Sequence, residues 1–164
     1  MVHVVRDAAA QDHAAVLALN NGATPHVNPL TPAQFTWLAA HAVYFRVSAD
    51  KAGVAGFILA LQSGLAYWSD NYQWFASQPE PFLYLDRVVV ASRAQRQGVG
   101  HALYQDIVAF AIGQWPRITL EVNLRPPNPV SLAFHDSMGF RRVGQRDYDA
   151  GEKSVVMLER TLQG

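Results

Sequence analysis

Residues 85–103 decide the fold: Leu85-Asp86-Arg87-Val88-Val89-Val90-Ala91-Ser92-Arg93-Ala94-Gln95-Arg96-Gln97-Gly98-Val99-Gly100-His101-Ala102-Leu103. A β-branched run suited to a strand gives way to a polar loop with two glycines, and a helix with apolar periodicity follows. Free N–H groups at a helix start, with the positive end of the helix dipole, form a site for phosphate. Glycines let phosphate oxygens approach the backbone, and Arg93 and Arg96 can add charge there. The plainer alternative is a loop whose glycines only permit a tight turn. A dinucleotide-binding turn is a second alternative, but it fits less well. Leu103 stands where that fingerprint wants its third glycine, and seven residues separate Val90 from Gly98. Glu121 does lie at a distance suited to a ribose contact, so this alternative stays open.

Outward from this loop, Phe82 to Val90 reads as a strand and Val99 to Ala111 as a helix. Upstream, Val2 to Arg6 suits a first strand, and Ala8 to Leu19 a helix ending at Asn20-Asn21-Gly22. Thr31, Pro32 and Gln34 make a capping box with proline at the first helical position, so a second helix should run to about Ala42. Val43 to Ala49 and Val54 to Leu61 read as a hairpin across Asp50-Lys51-Ala52-Gly53. Gln62 to Pro81 looks irregular and carries Tyr67, Trp68, Tyr72, Trp74 and Phe75. Downstream, Ile118 to Asn123 is a strand. Asn128 caps a helix with Pro129 at its first position, and Gly139 suits the residue just past its end. Phe140 to Tyr148 and Val155 to Leu162 form a last hairpin across Asp149-Ala150-Gly151. The order is β-α-α-β-β-β-α-β-α-β-β, with no repeat or linker, so residues 1–164 are expected to form a single domain.

The composition narrows the function. The chain has 164 residues, 50% hydrophobic and 16% charged, which suits one globular domain. Thirteen basic residues balance thirteen acidic ones, so no net charge draws it to nucleic acid or an anionic membrane. There is no cysteine, which excludes disulfides, thiolate metal sites and a cysteine nucleophile. The six histidines show no paired metal-ligand spacing, so no metal is expected. Arg6 and Asp7 fall where a signal peptide needs apolar residues. The longest mainly apolar run, Gly53 to Leu61, is far below the ~18 residues of a membrane span. A cytoplasmic location is the expectation.

At Gln95-x-x-Gly98-x-Gly100 the sequence resembles the GNAT superfamily of acyl-CoA-dependent N-acetyltransferases, whose pyrophosphate loop reads Arg/Gln-x-x-Gly-x-Gly/Ala. A second block, Asn128-Pro129-Val130-Ser131-Leu132-Ala133-Phe134-His135-Asp136-Ser137-Met138-Gly139-Phe140, looks like that family's Asn-x-x-Ala-x-x-x-Tyr-x-x-x-Gly-Phe. The element order agrees nearly end to end. A narrower likeness is to a bacterial group of predicted GNAT acetyltransferases with Glu-Val-Asn, Pro-Pro-Asn-Pro, Phe-His and Gly-Phe in this order. The resemblance implies a mixed, mostly antiparallel α/β sheet, splayed at strands 4 and 5 and flanked by about four helices.

It also implies a site. Backbone groups of Val88, Val89 and Val90 would pair with the pantetheine arm of acetyl-CoA, and an N–H near Val88 or Val89 would meet the oxyanion. Residues Gln95, Arg96, Gln97, Gly98, Val99, Gly100, His101 and Ala102 would surround the pyrophosphate. Asn128, Ser131, Phe134 and His135 would lie along the pantetheine or acceptor side. An amine would attack the thioester directly in a ternary complex, which requires a base, oxyanion stabilisation and a proton for the thiolate. His135 stands where the family carries its tyrosine acid. Helical spacing puts it on one face with Ser131, Phe134 and Met138, so it points inward as an acid, a base or a packed core residue. Glu121 and Asp86 are the candidate bases. Each is equally suited to a structural ion pair, with Arg125 or Arg87, and a water relay competes with both.

Tyr67, Trp68, Tyr72 and Trp74 are the candidate acceptor wall, which would favour an apolar or cationic amine, such as an amino acid or peptide terminus. The leading function is therefore an acetyl-CoA-dependent N-acetyltransferase with an amine acceptor. The alternatives are an acyl-CoA-binding regulatory module without turnover and a dinucleotide-binding domain. Partners beyond these small molecules, including a homodimer, are not written in the sequence.

Overall fold

Local chemistry sets most element boundaries in the computed structural model, which describes residues 2–163. The Thr31 hydroxyl accepts from the Gln34 N–H at 3.1 Å and the Gln34 side chain accepts from the Thr31 N–H at 3.0 Å. This capping box starts α2, Pro32–His41, as expected. The first helix, α1, spans His13–Gly22 and starts later than its apolar spacing suggests. Asp12 is the cause. Its carboxylate accepts from the Ala9 N–H at 2.7 Å and from both Arg6 guanidinium nitrogens at 2.7 and 3.0 Å, which holds residues 10–12 in a separate 3₁₀ turn.

The residues group into two compact units: those up to 62 with 85–110, and 63–84 with those from 111 onward. In the first unit β1, Val4–Asp7, pairs antiparallel with β2, Tyr44–Asp50, which pairs antiparallel with β3, Gly53–Gln62. The strand β4, Leu83–Val90, contributes its later residues here and leads to α4, Val99–Ala111. Val16, Leu38, Val47, Phe57, Leu103 and Ile107 fill this core. The connection from α1 to α2 is pinned by side chains. Asn21 Oδ1 accepts from the Leu30 N–H, and Asn20, fully buried, donates to the Asn28 carbonyl. Arg87 Nη1 donates to both Asn20 Oδ1 and the Asn28 carbonyl at 3.1 Å.

The second unit contains α3, Asp70–Ala76; β5, Arg117–Arg125; α5, Pro129–Ser137; β6, Arg141–Tyr148; and β7, Lys153–Thr161. The parallel partners β4 and β5 pair at Leu83↔Ile118 and Tyr84↔Thr119. The last strand, β7, lies antiparallel between β5 and β6, and the full strand order is β1-β2-β3-β4-β5-β7-β6. The mixed α/β fold with a mostly antiparallel sheet is the expected one.

One expectation needs correction. The stretch 62–81 is not irregular throughout, because Ser69 accepts from the Tyr72 N–H and starts α3. The described residues hold five α-helices, consistent with the about four expected. Tertiary contacts hold this short helix. Arg117, only 3% exposed, donates to Glu159 Oε2 and Gln78 Oε1 at 3.0 Å and to the Glu80 carbonyl at 3.1 Å. Its guanidinium also lies over Phe75 and Phe82. Burial raises the Glu159 carboxyl's pKa, but hydrogen bonds from Arg141 and Arg117 outweigh that and bring it below its ordinary value. On the other side, the Trp74 ring lies over Gly144. A Cβ there would sit 2.4 Å from Trp74 Cζ2, so β6 needs glycine at this position.

Candidate functional site

In the first unit the glycine loop has the geometry that an anion site requires. β3 and β4 approach closely at Gly56, where a Cβ would stand 3.0 Å from the Val89 carbonyl oxygen and 3.2 Å from Val99 Cγ1. The chain leaves β4 with the Ala91 N–H on the Ala55 carbonyl at 2.8 Å, then makes a 3₁₀ turn over Ser92–Ala94. Arg96 and Gly98 take left-handed conformations, φ 63° and 79°. Only Gly98 does so without steric cost. The Ala102 N–H bonds the Gly98 carbonyl at 3.0 Å, so the N–H groups of Val99, Gly100 and His101 have no acceptor within the helix. Gly100 is different. A Cβ there would meet nothing closer than Val90 Cγ2 at 3.8 Å, so the fold itself does not require glycine.

The two arginines divide their roles. Arg96 is exposed and makes no hydrogen bond or ion pair among the described residues. Arg93 instead donates to Asp50 Oδ2 at 2.6 Å. Asp86 is likewise engaged, accepting from Arg87 Nε at 2.6 Å. Its carboxylate is 4% exposed, in the ion-pair arrangement that competed with a role as base.

In the second unit the Tyr84 hydroxyl donates to Glu121 Oε2 at 2.6 Å, a short charge-assisted bond across the parallel strands β4 and β5. Tyr84 is fully buried, with its ring against Tyr72 and Phe75. Arg125, the alternative partner for Glu121, bonds the Gly151 carbonyl and pairs with Asp147. Sequence reasoning missed Tyr84. The only available signal was its place on strand β4, and its partner lies 37 residues away.

Asn128 caps α5, its Oδ1 accepting from the Ser131 N–H at 3.2 Å. His135 points inward, 6% exposed, between Phe134 and Phe140. Its Nδ1 lies 2.7 Å from the Ser131 carbonyl oxygen, so Nδ1 carries a proton and donates, and the neutral ring presents Nε2 as an acceptor. Burial lowers the His135 pKa below its ordinary value, against a smaller opposing effect of the Ser131 bond. A neutral ring results, which suits packing or acceptance better than delivery of a proton to a thiolate.

The aromatic segment divides too. Tyr72 is fully buried and Tyr67 is 4% exposed, so both belong to the core around Phe82 and Tyr84. Trp74 is half-buried over Gly144. Trp68 is 48% exposed and edge-on to Tyr67. Among the described residues no helix is long and apolar enough to cross a membrane, and no cluster of three or more His, Asp or Glu is placed to hold a metal ion.

The profile of the Acetyltransferase (GNAT) family matches residues 13–140. No curated protein matches the chain. Among solved structures, the ribosomal-protein-S18-alanine N-acetyltransferase from Escherichia coli is 15% identical with a TM-score of 0.77, over 99% of this chain and 96% of its own. Arabidopsis thaliana NAA60 in complex with a bisubstrate analogue is also 15% identical at a TM-score of 0.77, covering 99% of both chains. A chain of the NatC complex bound to Gag peptide and CoA gives the same identity and TM-score, over 99% of this chain and all of that one. At these identities the likeness is one of fold.

Proposed function

Because the chain belongs to the GNAT family of acetyltransferases, we propose that it transfers the acetyl group of acetyl-CoA to an amine by direct attack on the thioester. The observation that carries this is the turn through Arg96 and Gly98 into α4, which leaves three helix-start N–H groups and the Arg96 side chain for a diphosphate. Val88 to Val90 would pair with pantetheine, as the family resemblance implies. The amine must lose its proton to attack, and Glu121 is the base we assign. Tyr84 fixes the orientation of its carboxylate, because the phenol ring is locked by the core. We assign His135 to packing along α5 rather than to proton delivery. The acceptor we infer is an amine on an apolar or aromatic body, such as a peptide or amino acid terminus, received against Trp68. Solved structures of similar fold include a peptide-bound complex. A single-domain, cytoplasmic, metal-free enzyme is the corresponding reading.

The deciding experiment incubates the protein with acetyl-CoA and a panel of amines and follows release of the free thiol. Amine-dependent release supports transfer. CoA binding without release would make the chain an acyl-CoA-binding module, and stabilisation by NAD but not by CoA would restore the dinucleotide alternative. Trp68→Ala should raise the acceptor KM and leave that for acetyl-CoA unchanged. An unchanged acceptor KM would place the acceptor elsewhere.

A further inference from the structure

Arg93 lies at the start of the glycine loop, where a cation would be expected to meet phosphate, yet its guanidinium is spent on a different contact. Nη1 donates to Asp50 Oδ2 at 2.6 Å, and Nη2 reaches the Val54 carbonyl at 3.3 Å and the Gly53 carbonyl at 3.5 Å. Asp50, at the end of β2, is fixed in turn. Its side chain has no solvent exposure, and its Oδ1 accepts from the Ala52 N–H at 2.8 Å. Bonding to Arg93, ahead of the other influences, holds the Asp50 carboxyl below its ordinary pKa. A carboxylate shut off from water is costly unless it is paired, so Arg93 is committed to this site.

The contact reaches further into the loop. Gln97 Nε2 donates to the Arg93 carbonyl at 3.1 Å, which turns Gln97 Oε1 toward His3 Nε2 at 2.9 Å. His3 Nδ1 in turn lies 3.6 Å from Asp50 Oδ2. Asp50, Arg93, Gln97 and His3 thus close a ring of contacts linking the β2–β3 hairpin to both sides of Arg96. Arg96 is the residue that needs such support. It holds a left-handed backbone at φ 63° without being glycine and has no side-chain partner among the described residues.

We propose that Asp50 is a positioning residue for the diphosphate loop: it holds Arg93 as a strut, and the strut keeps Arg96 and Gly98 in the left-handed conformations that present the free N–H groups at the start of α4 to an anion. This rests on the reading of the loop as a CoA site. An ordered loop does not have to be ordered by the ligand, so the strut acts on affinity for the diphosphate-bearing donor rather than on the acetyl transfer step.

The test compares wild type, Asp50→Asn, Arg93→Gln and the double variant. The readouts are the CoA dissociation constant by calorimetry and amide hydrogen exchange of the free protein. Each single variant should weaken CoA about tenfold through lost loop order. Exchange at residues 95–98 should quicken while the amides of α4 from Leu103 onward keep their protection. The double variant should be no worse than either single one, because both remove the same strut. Weakening by Arg93→Gln but not by Asp50→Asn would make Arg93 a direct phosphate ligand and overturn the proposal. Unchanged affinity and exchange in Asp50→Asn would overturn it too, as would loss of protection throughout α4, which marks a general stability role. A wild type that binds no CoA would overturn the CoA reading itself, and with it the proposal.

Discussion

Substitutions at Gly98 and Gly100 separate what the backbone needs from what a ligand needs. Gly98 sits at φ 79°, so Gly98→Ala puts a side chain in a left-handed conformation at a cost of about 1–2 kcal/mol. For a chain of this size that lowers Tm by roughly 2–8 °C. Gly100 is in the first turn of α4, with its nearest obstacle 3.8 Å from an added Cβ. Gly100→Val therefore changes stability by no more than about 0.5 kcal/mol, since valine and glycine differ little in helix propensity. Its branched side chain does occupy the space beside the free N–H groups. Losing one charge-assisted hydrogen bond to a diphosphate forfeits about 1.5–3 kcal/mol, which is roughly a 10–150-fold rise in the CoA dissociation constant. Gly100→Ala should bind nearly as wild type, because the family pattern accepts alanine there. The assay is calorimetry with CoA beside thermal unfolding without it. A folded Gly100→Val protein that binds CoA as tightly as wild type would refute the placement of the diphosphate at this helix start.

Tyr84→Phe keeps the packed ring and removes the bond to Glu121, so turnover should fall about ten- to a hundredfold with CoA affinity unchanged; Glu121→Gln should cost roughly 10²–10⁴-fold. Equal turnover in both variants and wild type would remove this pair from the chemistry. Because burial lowers the His135 pKa, the unfolded chain takes up that proton first as pH falls below about 6.5. Stability from this group is whole above that pH and declines below it, by at most about 1.4 kcal/mol per unit, until the folded-state pKa is passed. Denaturant midpoints of wild type and His135→Gln between pH 5 and 8 check this, and parallel curves would contradict it. Gly144→Ala should destabilise by about 1–3 kcal/mol through collision with Trp74, and Trp74→Leu in the same chain should recover part of the loss.

The features visible in the sequence were those set by neighbours along the chain. Thr31 and Gln34, Asn128 with Pro129, and the glycines at 98 and 100 act within four residues, and the structure places them as their spacing predicts. The rest depends on long-range partners. Helix α3 has only seven residues and is held by Arg117 and Gly144, neither of which its own sequence announces. Tyr84 becomes a partner of Glu121 only because β4 and β5 pair in parallel at Tyr84↔Thr119. The Arg93 partner, Asp50, is 43 positions away, so its ion pair is not visible from the loop sequence.

The placement of β7 has a consequence for how the chain is made. The first unit draws only on residues up to 110, whereas β5 and β6 meet through a strand that comes last in chain order. Until Glu159 has been synthesised, Arg117 lacks its shorter ion pair and β5 lacks its antiparallel neighbour. At roughly 5–20 residues per second, the ribosome needs several seconds to pass from residue 110 to the end of β7. During that interval β5 has an open edge, a state prone to aggregation. Nascent chains stalled just before β7 should therefore be protease-sensitive at β5, and release of the complete chain should protect it.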